Sequence, residues 1–449
     1  MKFEKGTFYL VSLGCAKNTV DSDSMAQLLI QDGYRMVGSP RRAEILIVNT
    51  CGFIGPARDE SFAHLEILAR QKRRGQILIA AGCLTQRYGR EVLKRVPGID
   101  GILGTRRWMD IVQVVRQLRS GPHPEPLYHL PDEARTLGED VPGILRASQS
   151  GASAYLKIAD GCRRPCAFCA IPLIKGPAVS RPMELILEEA RRLQEQGVRE
   201  LILIAQDTTD YGHDLGMKDG LATLLENLVR AVPDIPWIRI LYAYPGYVTE
   251  RLIEVMARHP QILPYLDMPL QHAHPDTLRR MRRPAKVEWV YRTIEKMRRA
   301  LPGLAIRTTF IVGYPGETNA EFETLLDFIR TMRFDRVGAF QFSFEPGTAS
   351  EALGDPIPAE VKQERYERLM ELQQQISLEI NQSFVGQTLP ILVEGKERGI
   401  SIGRSYRDAP EIDGLVIVEG DLPENAIVPV RISGAMSYDL TALPLPTHQ

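Results

Sequence analysis

The chain has 449 residues, 44% of them hydrophobic and 25% charged, with a formal net charge of −1. Its 36 glycines and 31 prolines exclude a disordered or collagen-like chain, and this length has room for roughly two to four domains. The near-zero charge gives whole-chain nucleic-acid binding no support. Six cysteines in so long a chain do not make a disulfide framework and point instead to metals or chemistry.

The N-terminal MKFEKGTFYL enters a short apolar run without a secretory h-region. The longest apolar runs, AEILIVNT and ELILIAQ, are far too short to span a bilayer, so a cytoplasmic location is expected. Residues 1–120 alternate β-rich runs (TFYLVSLG, AEILIVNTCG, QILIAAGC) with amphipathic stretches such as ARDESFAHLEILARQKRRG. Such alternation predicts an α/β domain with a parallel sheet covered on both faces, of flavodoxin-like layout. Residues 121–150 carry Pro122, Pro124, Pro126, Pro131 and Pro142 with little periodicity and read as a linker or crossing segment. From 151 a longer beat begins, with candidate strands AYLKIAD, RELILIAQ, WIRILYA, PYLDMP, AIRTTFIVG and RVGAFQFS. Six strand–helix units suit an incomplete (β/α)6 barrel; the long charged helix PAEVKQERYERLMELQQQISLEINQ follows, and the barrel region is set at 151–375. Residues 376–449 alternate in the manner of a small β-barrel.

The first barrel strand runs into ADGCRRPCAFCAIP, which sets Cys162, Cys166 and Cys169 on the first βα loop, the face where barrel active sites gather. Four cysteines saturate a ferredoxin-type cubane, so three leave one iron with an open position. A structural zinc site is the plain alternative. Zinc closes with four protein ligands, however, and the nearest downstream histidine is His213. Cys-x3-Cys-x2-Cys with Phe168 before the last cysteine resembles the radical S-adenosylmethionine (SAM) superfamily. The resemblance implies a four-iron–four-sulfur cluster whose open iron binds SAM, cleaved to a radical that abstracts hydrogen from carbon. Gln206 and Asp207, after the second strand, match the position of the family's amino-group motif. Arg307, Gly313 and Glu317, at the end of the fifth, resemble its adenine-side motif. Each also has a structural reading: a glycine turn, a helix-opening carboxylate or an ion pair.

Cys15, Cys51 and Cys83 each stand just past a probable strand. In a parallel sheet those ends share one edge, so the three converge. Singly each reads as a buried thiol; jointly they could hold a second cluster with an accessible iron. This two-triplet pattern, with LGCAKNTVDSD, VNTCGFI, AGCLTQRY and a C-terminal TRAM-type barrel, resembles the methylthiotransferases over nearly the whole chain. The resemblance implies two four-iron–four-sulfur clusters, SAM as methyl donor and radical source, and conversion of C–H into C–S–CH3. It also implies an electron donor such as flavodoxin or ferredoxin, and a sulfur source.

The substrate divides the family. VSLGCAKN, AQDTTDYG, MPLQHAH and GRSYRDAPEIDGLV resemble the RimO branch, which modifies an aspartate of small-subunit ribosomal protein twelve. The rival branch, MiaB-like, modifies a tRNA adenosine. Residues 376–449 carry ten acidic against five basic side chains. A tRNA-gripping module should be basic, whereas an acidic one suits a basic ribosomal protein, so tRNA is disfavoured. A rival of another class is a non-catalytic metal-binding scaffold on the ribosome. The basic runs RQKRRG and RRMRRP read equally as exposed helix faces, and His272 and His274 as capping, packing or binding groups.

Overall fold

The computed structural model describes residues 4–121, 124–131 and 140–446. Residues 122, 123 and 132–139, part of the expected linker and including Pro122, lie outside the described residues. The chain forms two compact units. One comprises Met1–Ser148, Tyr155–Arg181 and Ser343–Glu351, and the other Gln149–Ala154, Pro182–Phe342 and Ala352–Gln449.

The first unit is built on β1 (Glu4–Ser12), β2 (Arg35–Met36), β3 (Ala43–Thr50), β4 (Ile77–Gly82), β5 (Gly101–Gly104) and β6 (Leu127–His129). They run in the order β2-β1-β3-β4-β5-β6, every pair parallel. This is the flavodoxin-like order with one added edge strand. Every residue of β3 is buried. Ile45 and Ile47 face one apolar cluster and Leu46 and Val48 the other, so alternate residues fill layers on both faces, as the continuous run AEILIVNT requires. The segment expected as a linker contributes β6, whose Leu127 N–H bonds Asp100 O at 2.8 Å. Three paired residues are too few to show a period. The same unit holds the antiparallel pair β9 (Ala159–Asp160) and β10 (Val179–Ser180). They follow the hairpin of β7 (Ala147–Ser150) and β8 (Ser153–Lys157).

In the second unit β11 (Glu200–Ile204), β12 (Trp237–Ile240), β13 (Ile262–Asp267), β14 (Ala305–Val312) and β15 (Arg336–Gln341) form a sequential parallel sheet. At its β11 edge Ser153 and Ala154 begin β8. Counted from β8, these are the six strands of the incomplete barrel. Helices intervene; Asn319–Met332, for example, opens on a Thr318–Glu321 capping box. The helix Ala359–Gln382 then leads to a closed barrel of β16 (Thr388–Glu397), β17 (Ile400–Ser405), β18 (Val416–Glu419), β19 (Ile427–Ala435) and β20 (Leu440–Pro444), filled by Val393, Val418, Val430 and Ile432.

The string GRSYRDAPEIDGLV lies inside this unit. Arg404 reaches Glu200 at 2.6 Å, Arg336 reaches Asp408 at 2.6 Å and Arg407 reaches Asp335 at 2.9 Å. These buried pairs tie the small barrel to the strands of the large one.

Candidate functional site

In the first unit the three N-terminal cysteines stand at the carboxyl edge of the sheet. Cys15 follows β1 as N-cap of the helix Ala16–Gln31, Cys51 follows β3, and Cys83 opens the helix Cys83–Tyr88 after β4. β1 and β3 flank the point where the strand order reverses, the usual ligand crevice of such sheets. Two glycines let the loops close. A Cβ on Gly14 (φ +94°) would lie 2.8 Å from Cys51 Cβ and 3.1 Å from its Sγ. A Cβ on Gly52 would lie 2.6 Å from Leu84 Cα and 3.1 Å from the Cys83 carbonyl carbon. Asn18 binds all three loops: its Nδ2 donates to Leu13 O (2.8 Å) and Thr50 O (3.0 Å), and Cys83 Sγ lies 3.7 Å from its Oδ1. Asn49 in turn donates to Asn18 O at 2.9 Å and Ser22 Oγ at 2.8 Å.

The thiols differ in acidity. Burial pushes Cys51 up to about 11 and Cys83 up to about 12. Desolvation raises Cys15 too, but the Lys17 ammonium, the Asn18 N–H and the Lys175 ammonium outweigh it and hold this thiol below its ordinary value.

The second triplet lies in the same unit. Cys162 N–H donates to Gly176 O at 3.0 Å, Cys169 N–H to Cys166 O at 3.1 Å, and Arg164 N lies 3.4 Å from Cys162 Sγ. Phe168 is half-buried on this loop. Ala170 and Ile174, just beyond Cys169, share one buried apolar cluster with Cys83, and Phe53 packs against it. All six cysteines and Phe168 therefore belong to one compact body.

The remaining candidates lie in the second unit. Gln206 follows β11, and its buried Oε1 has no hydrogen-bond partner among the described residues. Asp207 caps the turn Thr208–Asp210, accepting from Thr209 N at 3.0 Å. Arg307, expected at a strand end, is the third residue of β14, because that strand continues to Val312. Its guanidinium lies 2.9 Å from Asp267 and 3.4 Å from Asp413. Gly313 follows β14 with φ +71°, where a Cβ would lie 2.4 Å from Lys362 Cγ. Glu317 accepts from Tyr314 N (3.2 Å) and Arg365 (3.0 Å), and burial raises it to about 7. His272 Nε2 lies 3.7 Å from Glu317, and burial lowers the imidazole to about 3. His274 caps the helix Pro275–Arg280, its Nδ1 accepting from Asp276 N at 3.2 Å.

Sequence reasoning passed over Asn18, Asn49 and the glycines beside the cysteines. A glycine flanks each member of the N-terminal triplet (GC15, C51G, GC83), and this is the signal that could have found the close approach.

The chain matches the family models described as radical SAM superfamily over residues 156–329, uncharacterized protein family UPF0004 over 7–104 and TRAM domain over 385–444. It is 49% identical over 448 residues to the ribosomal protein uS12 methylthiotransferase RimO of Chloroflexus aurantiacus, covering 96% of this chain and 98% of that protein. The protein of the same name from Synechocystis is 44% identical over 436 residues, covering 97% and 96%. Among solved structures, the radical SAM methyltransferase TsrM from Kitasatospora setae aligns with a TM-score of 0.56 at 13% identity, over 90% of this chain and 77% of that one, a likeness of fold alone.

Proposed function

The chain belongs to the ribosomal protein uS12 methylthiotransferase RimO family, and from that premise we propose that it converts an aspartate of small-subunit ribosomal protein twelve to 3-methylthioaspartate. It is a radical SAM methylthiotransferase. Membership of the superfamily implies SAM and a four-iron–four-sulfur cluster; when bound, they supply one-electron reduction and hydrogen abstraction at carbon. In this reading Cys162, Cys166 and Cys169 hold that cluster, while Cys15, Cys51 and Cys83 hold a second, sulfur-handling one. The observation that carries the reading is the gathering of both triplets in one compact body, with Cys83 packed in the same cluster as Ala170 and Ile174.

Gln206 Oε1, a buried acceptor without a donor among the described residues, suits the amino group of SAM, since a buried orphan acceptor is costly unless a ligand satisfies it. Phe168, Asp207, Arg307 and Gly313 are the other residues to which the reading gives a part in binding the cofactor. Asp207 shapes the turn after Gln206, and Arg307 is paired with Asp267. Functionally the chain divides into 1–120, a crossing segment 121–150, a barrel 151–375 and a C-terminal module 376–449.

That module supports the protein substrate over tRNA. With the buried Arg404, Arg407, Asp408 and Asp413 and the Arg404 partner Glu394 set aside, seven carboxylates face three cations. The outward imbalance thus survives the internal pairing, and it steers a basic protein rather than a polyphosphate backbone. No helix among the described residues is long and apolar enough to cross a membrane. We assign the reaction to the cytoplasm, with an electron donor of the flavodoxin or ferredoxin class and a separate sulfur source. The test is mass spectrometry of ribosomal protein twelve and bulk tRNA from cells with and without the gene. Loss of one methylthio group from an aspartate of the protein is expected. Loss from a tRNA adenosine instead would move the chain to the MiaB-like branch.

A further inference from the structure

The segment Ser343–Glu351 belongs to the first unit, although the chain on either side of it belongs to the second. Its Glu345 side chain is 1% exposed, and a carboxylate so buried is costly unless donors surround it. Those donors come from the segments that follow Cys51 and Cys83. Gly55 N–H opens the helix Gly55–Gln71 after Cys51 and donates to Glu345 Oε1 at 2.9 Å. That helix has no capping side chain at its own N-cap, so Glu345 supplies the anion that a helix start favours. Arg87, one turn beyond Cys83 on the same short helix, donates to Glu345 Oε2 at 2.7 Å. Arg58 lies 3.5 Å from the same oxygen. The Arg87 guanidinium also donates to Gly52 O at 3.0 Å and to Pro346 O at 2.8 Å, which ties the loop after Cys51 to the segment a second time.

The far end of the segment holds the other triplet. Ser350 N–H donates at 2.8 Å to the carbonyl of Ala167, which stands between Cys166 and Cys169. The stretch between the two ends is braced from within. Thr348 Oγ1 donates to Glu345 O at 2.8 Å, and Gly347 N–H donates to the Glu351 carboxylate at 2.9 Å. One short strap therefore carries a carboxylate fixed to the loops of Cys51 and Cys83 and an N–H fixed to the loop of Cys166 and Cys169.

We propose that Glu345 is a positioning residue that fixes the separation between the site of Cys15, Cys51 and Cys83 and the site of Cys162, Cys166 and Cys169. It acts through Gly55 and Arg87 on one side and, along the strap, through the bond from Ser350 to Ala167 on the other. The inference rests on the two-cluster reading, in which one site serves hydrogen abstraction and the other handles sulfur. A single substrate carbon must then be within reach of both, and orientation of this kind is a large share of what a site contributes to rate. Loosening the strap leaves each site whole but wastes SAM, because cleavage continues while the carbon no longer meets the sulfur.

The test uses the full chain reconstituted with iron and sulfide and acting on ribosomal protein twelve. It reads methylthioaspartate formed per 5′-deoxyadenosine, with iron content beside it. An unaltered chain that carries the iron of one cluster only, or cleaves SAM without forming methylthioaspartate, sinks the proposed function and the inference with it. Against an active unaltered chain, Glu345→Ala should keep its iron and its rate of deoxyadenosine formation. The ratio should fall roughly ten- to hundredfold, the scale of an ångström-sized misplacement. An unchanged ratio, or an equal fall of both products at retained iron, overturns the proposal. Should Glu345→Ala fail to fold or to load iron, Arg87→Lys decides. It keeps the charge but lacks the fork that spans Glu345 and the two carbonyls, so its ratio should fall as well, and a ratio equal to that of the unaltered chain overturns the proposal.

Discussion

Arginines carry the buried ion pairs of the second unit, whereas two lysines stand at the centre of the network beneath the cysteines in the first. In the second unit Arg239, Arg307, Arg336, Arg404 and Arg407 meet Glu200, Asp267, Asp335, Asp408 and Asp413. The planar fork of arginine fixes direction as well as distance, and such a set fastens an architecture. In the network of Asp21, Asp160, Arg146, Lys157 and Lys175 two ammonium groups share two carboxylates, and lysine offers a point charge on a flexible stem. The difference separates ion pairs fixed in direction from a network held by point charges.

The comparison breaks most sharply at the cysteines. Replacing Cys15, Cys51 or Cys83 by Ala should abolish methylthiolation while the chain still cleaves SAM reductively to 5′-deoxyadenosine. Replacing Cys162, Cys166 or Cys169 should abolish both. Product mass spectrometry beside a deoxyadenosine assay checks this. Full methylthiolation without the N-terminal triplet would remove its sulfur-handling role.

The arginine network should respond in stability alone. Truncating Glu200, which is wholly buried between Arg239 and Arg404, leaves the Arg239 guanidinium without its carboxylate, while Arg404 keeps Glu394 at 2.7 Å, and should cost about 3–5 kcal/mol. Denaturant unfolding of Glu200→Ala reads this, with iron content as the control. Acid gives the same test without a mutation. Burial raises the Glu200 carboxyl, but Arg239 and Arg404 outweigh it and hold it at about 2, below the ordinary 4.5. A depressed carboxylate contributes its stability fully above the unfolded value and loses it as pH falls through the folded one. The loss should therefore fall between pH 4.5 and about 2, and Glu200→Gln should weaken that part of the acid response.

Long apolar runs and clustered cysteines were legible in the sequence; pairings across long separations were not. AEILIVNT announces β3 because a strand covered on both faces needs an unbroken apolar run. GILG and LYH, which become β5 and β6, are too short to carry a period, and ISIGRS, which becomes β17, mixes apolar, polar and charged residues. GRSYRDAPEIDGLV read as a family-marking string with no stated structural task. Its Arg404 meets Glu200, 204 positions away, and no local pattern encodes such a partner. Lys175 escaped for the same reason, since Asp21 lies 154 positions upstream.

Gly14→Ala should act between these extremes. The new Cβ would lie 2.8 Å from Cys51 Cβ at a φ of +94°, a backbone region that costs an alanine roughly 1–2 kcal/mol. The cysteine loops would have to separate, so iron bound by the N-terminal triplet should fall while that bound by Cys162, Cys166 and Cys169 is retained. Iron analysis in backgrounds lacking one or the other triplet distinguishes the two. Equal loss from both sites would mean that the first unit as a whole had been destabilised.

The smallest effect is expected at His274, where the roles of cap and binding group part. Its Nδ1 accepts from Asp276 N at 3.2 Å at the start of Pro275–Arg280, and loss of such a cap costs about 1 kcal/mol. His274→Ala should lower the unfolding free energy by that order, with a small further part from Glu321, 3.5 Å from its Nδ1, and leave kcat and KM unchanged, because the helix it caps has only six residues. His274→Asn, which restores a capping oxygen, should recover the stability. A rise in KM for the ribosomal protein that Asn does not repair would instead make the imidazole a substrate contact. The measurement thus asks, for one side chain, whether a polar group at a helix start serves the fold or the reaction.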